Sequence, residues 1–187
     1  LARRAGEQFR DEDAMSGNAG APSPFWTFSL RYYAMTGVPA ACLVLQDGSG
    51  VDVNVLLFSL FAAKSGRQIE SADARRLIDA LAEWKDAVVV PLRHARRALK
   101  DAPGVIDRAG AEALRNRVKA VELEAERLEQ EALFARFAVD GLGAAATPVS
   151  AATANIAAYA KALGVSFDTD AVATMITAFN ALEDKNT

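Results

Sequence analysis

The sequence predicts an all-α fold: a helical bundle of about five helices with a long antiparallel helical hairpin, plus a C-terminal two-helix appendage. Three observations carry this. Capping residues and glycines punctuate the chain at helix-length intervals, apolar residues recur at steps of three and four along two long stretches, and no segment reads as a strand. The most β-branched run, Ala87 to Val90, lies inside one of the helical stripes.

Ser23 followed by Pro24 is an N-cap with proline at the first helical position, so a first helix is expected over Phe25 to Met35, ended by Gly37. Pro39 opens a short second helix that stops at Gly48. Asp52 is the best N-cap of the chain, with Val51 and Leu56 at the two positions of a hydrophobic staple. The helix it starts, Val53 to Lys64, is apolar on nearly every side and is expected to be the central one.

From Ser71 onward, Leu77, Leu81, Trp84, Val88, Leu92, Ala95 and Leu99 form one continuous stripe. Pro91 lies within it and predicts a kink, not a break. After a turn at Asp101 to Gly104, Asp107 caps a helix in which Leu114, Val118, Val121, Ala125, Leu128, Ala132, Ala135 and Val139 repeat the spacing. Two such stripes joined by a short loop make an antiparallel hairpin. Thr147 and Pro148 start a sixth helix that ends at Gly164, and Asp168 caps a seventh. The resulting organisation is a disordered tail over 1–23, a bundle domain over 24–140, a linker over 141–150 and a helical pair over 151–187. That pair is too small to fold alone, so it docks on the bundle or on a second copy, which allows a homodimer through the C-terminal helices.

The chain has 187 residues, 51% of them hydrophobic, with 21 Lys and Arg against 24 Asp and Glu. Such a chain buries a core without staples and is neither disordered nor a disulfide scaffold. Cys42 is the only cysteine, which suits a reducing cytoplasm. Arg3 and Arg4 are not followed by an apolar signal segment, the run Val53 to Ala63 is too short for a bilayer span, and Met15 is a candidate start codon. A cytoplasmic protein without membrane contact is expected.

Catalytic and metal constellations are scarce. His94 is the only histidine, and it stands among arginines that disfavour a neutral general base. No catalytic residue, metal site or cofactor is assigned. The acidic run Glu122, Glu124, Glu126, Glu129 and Glu131 lacks the Glu-x-x-His repeats of dimetal bundles and reads as a solvated helix face. Asn54, in the first turn of a buried helix, must find partners. It is either a satisfied core amide or part of a polar pocket of Gln46, Asp52 and Asn54 with aromatic walls from Trp26 and Tyr33.

Charge is unevenly spread. Between Arg93 and Lys119 eight cations face three anions, a balance of +5, and the rest of the chain carries −8. If the hairpin folds about Gly104, the glutamate run lies too far away to neutralise the arginines. The turn end becomes a basic knob of Arg93, His94, Arg96, Arg97, Lys100 and Arg115, partly explained by the negative end of the preceding helix.

The segment Phe25-Trp26-Thr27-Phe28-Ser29-Leu30-Arg31-Tyr32-Tyr33, then Gly37-Val38-Pro39-Ala40-Ala41-Cys42-Leu43, Leu45-Gln46-Asp47 and Asp52-Val53-Asn54-Val55-Leu56-Leu57-Phe58, resembles a proteobacterial family of small helical proteins, domain of unknown function 2390. Trp84, Val90-Pro91-Leu92-Arg93 and Arg96-Arg97-Ala98-Leu99-Lys100 extend the resemblance, which runs from about Phe25 to Glu131. It implies a bacterial cytoplasmic origin and brings no catalytic residues. The functional expectation is a non-enzymatic interaction or adaptor module whose basic hairpin end meets an acidic protein. The alternative is a small-molecule-binding protein or enzyme using the pocket around Gln46, Asp52 and Asn54, and nucleic-acid binding through phosphates is a third reading.

Overall fold

The computed structural model describes residues 21–184, with side chains to Leu182. The tail expected over 1–23 lies outside the described residues as far as residue 20, and so does Met15. The fold is all-α, and the helices follow from their caps. Ser23 Oγ accepts from the Trp26 amide at 3.0 Å and donates to Glu131 Oε1 at 3.0 Å, so one hydroxyl both starts α1 (Pro24–Tyr33) and ties it to the hairpin. Helix α2 (Val38–Ser49) runs through Gly48 and ends one residue later than expected. There Gly50, at φ 66°, donates to Gln46 O while Val51 donates to Leu45 O, a left-handed cap that glycine adopts without strain.

The Asp52 carboxylate accepts from the amides of Asn54 at 2.9 Å and Val55 at 3.4 Å and starts α3 (Val53–Lys64). Every side chain from Asn54 to Ala63 is buried, which makes α3 the axis of the core. Phe25 meets Phe58 edge to face at 5.0 Å, and Phe137 meets the same ring at 6.4 Å.

Helix α4 (Ser71–Trp84) continues through a π turn (Lys85–Val89) into α5 (Val90–Lys100) without a break. Pro91 has no amide hydrogen and crowds the Ala87 carbonyl. The Val90 amide therefore reaches back five residues to Lys85 O, and the widened turn accommodates the ring. Asp107 caps α6 (Arg108–Arg136) through the Gly110 amide at 2.7 Å.

The α5–α6 hairpin is present, but its register differs from the expected one. Arg93 pairs with Glu122 and Glu126, not with the region of Ala111 to Arg115. The connection 101–107 carries the chain onward before α6 begins, displacing the register by about two helical turns. The inward face of α6 also differs. It carries Ala111, Glu122, Ala125, Glu129, Gln130 and Leu133, while Leu114, Val121 and Leu128 of the expected apolar stripe are 41%, 52% and 45% exposed. Polar side chains face inward because α5 and α3 present Arg93, Arg96 and Asn54 to them.

Residues 141–150 do not form a free linker. Leu142 is buried, and Ala144–Ala145 (β2) pairs antiparallel with Arg67–Gln68 (β1), a two-residue ladder with no sequence signal. Gly143, at φ 46°, lies so close to β1 that a Cβ there would stand 1.9 Å from Gln68 O. Gly143→Ala is therefore expected to cost about 1–3 kcal/mol through backbone strain and displacement of β1. A urea midpoint equal to wild type would show that the ladder parts freely.

Helices α7 (Pro148–Leu163) and α8 (Thr169–Asp184) complete the core instead of decorating it. Ile156, Tyr159, Met175, Phe179 and Leu182 join one apolar cluster with Phe25 and Leu60. The pair thus docks within its own chain. Tyr32 Oη donates to Met175 O at 2.7 Å, and the Asp52 amide donates to Tyr159 Oη at 2.9 Å.

Candidate functional site

A cavity of about 300 Å³ opens between the first three helices and the hairpin. That is the lower end of the size range of small-molecule sites. Helical spacing places its walls. On α1, Trp26, Ser29, Leu30 and Tyr33 share one face, and Cys42, Leu43 and Gln46 do so on α2. Helix α3 adds Val53, Asn54 and Leu57, while Arg93 and Arg96 come from α5. Helix α6 closes the cavity with Asn116, Lys119, Ala120, Glu122, Leu123, Glu126 and Gln130. Leu43, Asn116 and Ala120 are exposed and mark the rim.

One wall is an ion-pair layer. Arg93 Nε bonds Glu122 Oε1 at 3.3 Å, and its Nη2 bonds Glu126 Oε1 at 2.9 Å. Arg96 grips both oxygens of Glu122, which is buried. The hydrogen bond that Arg96 donates to Glu122 is the main influence holding its guanidinium above its ordinary pKa. Burial pushes the Glu126 carboxyl up, against the pull of Arg93.

Further along the same face of α6 lies a chain of buried hydrogen bonds. Asn54 Nδ2 donates to Glu129 Oε2, and Gln130 Nε2 donates to Asn54 Oδ1 at 2.8 Å. Three oxygens of this region have no hydrogen-bond partner: Ser29 Oγ, Gln130 Oε1 and Glu129 Oε1. Their residues are only 3%, 5% and 2% exposed, so water outside the fold does not meet the demand. Burial, and then the negative charge of Asp52, raise the Glu129 carboxyl to about 8. Burial also drives the Cys42 thiol to about 12 and, joined by the charge of Cys42, the Tyr33 phenol to about 12.

Trp26, Tyr33, Gln46 and Asn54 thus lie on one cavity. Asp52 does not; it caps α3 and lines a crevice of about 10 Å³ behind Asn54, with Lys85 and Glu129. The basic knob is not a single surface. Arg93 and Arg96 pair across the hairpin, which corrects the expectation that the glutamates lie out of reach. Arg97 pairs with Asp47 at 2.8 Å and holds that carboxyl below its ordinary pKa, while Arg115 pairs with Glu112 at 2.8 Å. His94 and Lys100 are exposed. The solvated acidic face is corrected too, because Glu122 and Glu129 are buried. The sequence reading missed Glu122, Glu126, Glu129 and Gln130 as an inward group, although their spacing carried a signal. Their spacing of four, three and one puts them on the face of Ala125 and Leu133.

A family model described as "Protein of unknown function (DUF2390)" matches residues 24–133, more than half of the chain. The chain belongs to the DUF2390 family. The DUF2390 match runs from α1 through most of α6 and contains every residue lining the cavity, while α7 and α8 lie outside it. No curated protein and no solved structure matches the chain.

Proposed function

We propose that this DUF2390 protein binds a small molecule in the cavity between α1, α2, α3 and the α5–α6 hairpin. One observation carries the reading: the cavity-lining residues Ser29 and Gln130 hold buried oxygens without partners. Each such atom costs about 1–3 kcal/mol unless something supplies a hydrogen bond, and both residues lie in the wall against which a ligand would settle. Binding fits better than catalysis, since burial keeps the Cys42 thiol and Tyr33 phenol protonated and removes both as ready nucleophiles or bases. The proteobacterial, cytoplasmic setting assigned to the protein rests on the family resemblance and on its single cysteine.

A second reading keeps the hairpin end as a contact for an acidic protein. It rests on Val105 and Ile106, 89% and 52% exposed in the turn between Lys100 and Arg108. It has lost its arginine cluster, because Arg93, Arg96 and Arg97 are paired within the chain.

Ala120→Trp separates the two readings, because the residue is exposed at the rim and the indole fills the opening without touching the core. In a thermal-shift screen of small metabolites, ligands at about 100 times their dissociation constant stabilise wild type by about 2.7 kcal/mol, and Ala120→Trp abolishes the shift. A screen without hits on wild type, or hits indifferent to Ala120→Trp, overturns the cavity reading.

A further inference from the structure

We infer that the cavity takes a small organic cation, a protonated amine carried on an apolar body. The inference rests on the cavity reading and adds the chemical class of its ligand. Its first support is the polarity of the unmet atoms. The Gln130 amide is oriented by its neighbours: Nε2 is held by Asn54 Oδ1, and Asn54 is itself ordered by donating Nδ2 to Glu129. What remains on Gln130 is Oε1, which can only accept, while the unmet Ser29 hydroxyl can accept or donate. A ligand that satisfies Gln130 must donate, and an ammonium group, with three donors and no acceptor, can serve Gln130 Oε1 and Ser29 Oγ together.

The second support is the charge layer. Arg93 and Arg96 are engaged with Glu122 and Glu126, and Lys119 is not free either. An anionic ligand would have to displace a carboxylate from its guanidinium. The arginines are taken by Glu122 and Glu126, whereas buried Glu129 is met by the Asn54 amide and keeps one oxygen without a hydrogen-bond partner. Burial accordingly holds both Glu126 and Glu129 above their ordinary pKa. A cation beside Gln130 stands close to the Glu129 carboxyl, since Asn54 bonds both residues. The third support is the wall itself, where Trp26 and Tyr33 offer aromatic rings to a cation and Leu30, Leu57 and Leu123 receive an apolar body.

Calorimetric titration of the full chain with three probes of one shape tests this: 2-phenylethylamine, 2-phenylethanol and 3-phenylpropanoate, at pH 7.5. The amine is expected to bind at least about tenfold more tightly than the alcohol, with the acid weakest, as a charge-assisted hydrogen bond implies. Ser29→Ala and Gln130→Met should each weaken the amine about tenfold and leave the alcohol less affected. Ser29→Ala removes a single oxygen and guards against misfolding of the larger change. Tighter or equal binding of the acid or alcohol, abolished by Ala120→Trp, overturns the cation and leaves the cavity reading standing. Amine binding untouched by both Ser29→Ala and Gln130→Met overturns the assigned recognition atoms. Binding of none of the three, or binding indifferent to Ala120→Trp, overturns inference and cavity reading together.

Discussion

Asn155→Ala is expected to lower the unfolding free energy by about 3–4 kcal/mol, although the residue is uncharged and remote from the cavity. Asn155 is fully buried, and its amide serves three backbone groups from two elements. Oδ1 accepts from the Ile69 amide at 2.8 Å, while Nδ2 donates to Ser59 O at 2.8 Å and to Arg67 O at 3.0 Å. The chain after α3 makes a left-handed turn at Gly66 and has only two ladder residues before α4, so its backbone groups depend on this side chain. Truncation strands the Ile69 donor in the core and opens a small void, each worth about 1–3 kcal/mol. Urea unfolding should show a lower midpoint with an unchanged slope, and hydrogen exchange should speed up at Ile69 first. A loss below about 1 kcal/mol would mean that a water or a shifted strand replaces the amide.

The same residue shows why part of the fold was legible and part was not. Caps are local: Ser23, Asp52, Asp107 and Asp168 each serve an amide two or three residues on, so a single segment reveals them. The long helix over 71–100 was legible for the same reason, since its period is local, although the π turn that absorbs Pro91 was not. Asn155 acts across 86 to 96 residues, and nothing in Ala-rich α7 marks it apart from a surface amide. Gly143 is set by the approach of β1 from far along the chain, and β1 has no signature.

For the cavity, sequence reasoning found Trp26, Tyr33, Gln46 and Asn54 because a polar residue at the start of a buried helix demands partners. It missed the partners themselves: Glu129 reads there as part of a solvated acidic face, and Gln130 is not singled out. Charge on α6 marks the inside, because an arginine of α5 or an amide of α3 stands opposite each inward carboxyl. Hairpin register decides this, and register depends on how the connection 101–107 travels. Apolar periodicity alone favoured the face of Leu114, Val121 and Leu128, which the fold leaves largely in solvent.

Stability is expected to fall as pH rises from about 5 to about 8.5, and Glu129→Gln is expected to remove most of that fall. Burial and the nearby Asp52 charge raise the Glu129 carboxyl from 4.5 to about 8, with Glu126 adding to the rise and Asn54 and Arg93 opposing it. The folded pKa stands above the unfolded one, so the native state binds more protons throughout this window. The stabilisation is therefore complete below the unfolded value and is lost as pH climbs through the folded one. At about 1.4 kcal/mol for every tenfold difference in proton affinity between the two states, and with relaxation around the ionised group, the loss is of order 3 kcal/mol. Glu129→Gln keeps an oxygen for Asn54 Nδ2 and cannot ionise. Its melting temperature at pH 8.5 should exceed that of wild type by several degrees, at about 2–4 °C per kcal/mol for a chain of this size, and its pH profile should be nearly flat. A variant curve that runs parallel to wild type would show that Glu129 is not the group responsible. Saturating 2-phenylethylamine should also flatten the wild-type curve, because an ammonium bound near Glu129 favours its ionised form. In Glu129→Gln that part of the ligand effect should disappear, tying the buried carboxyl to the cavity it lies behind.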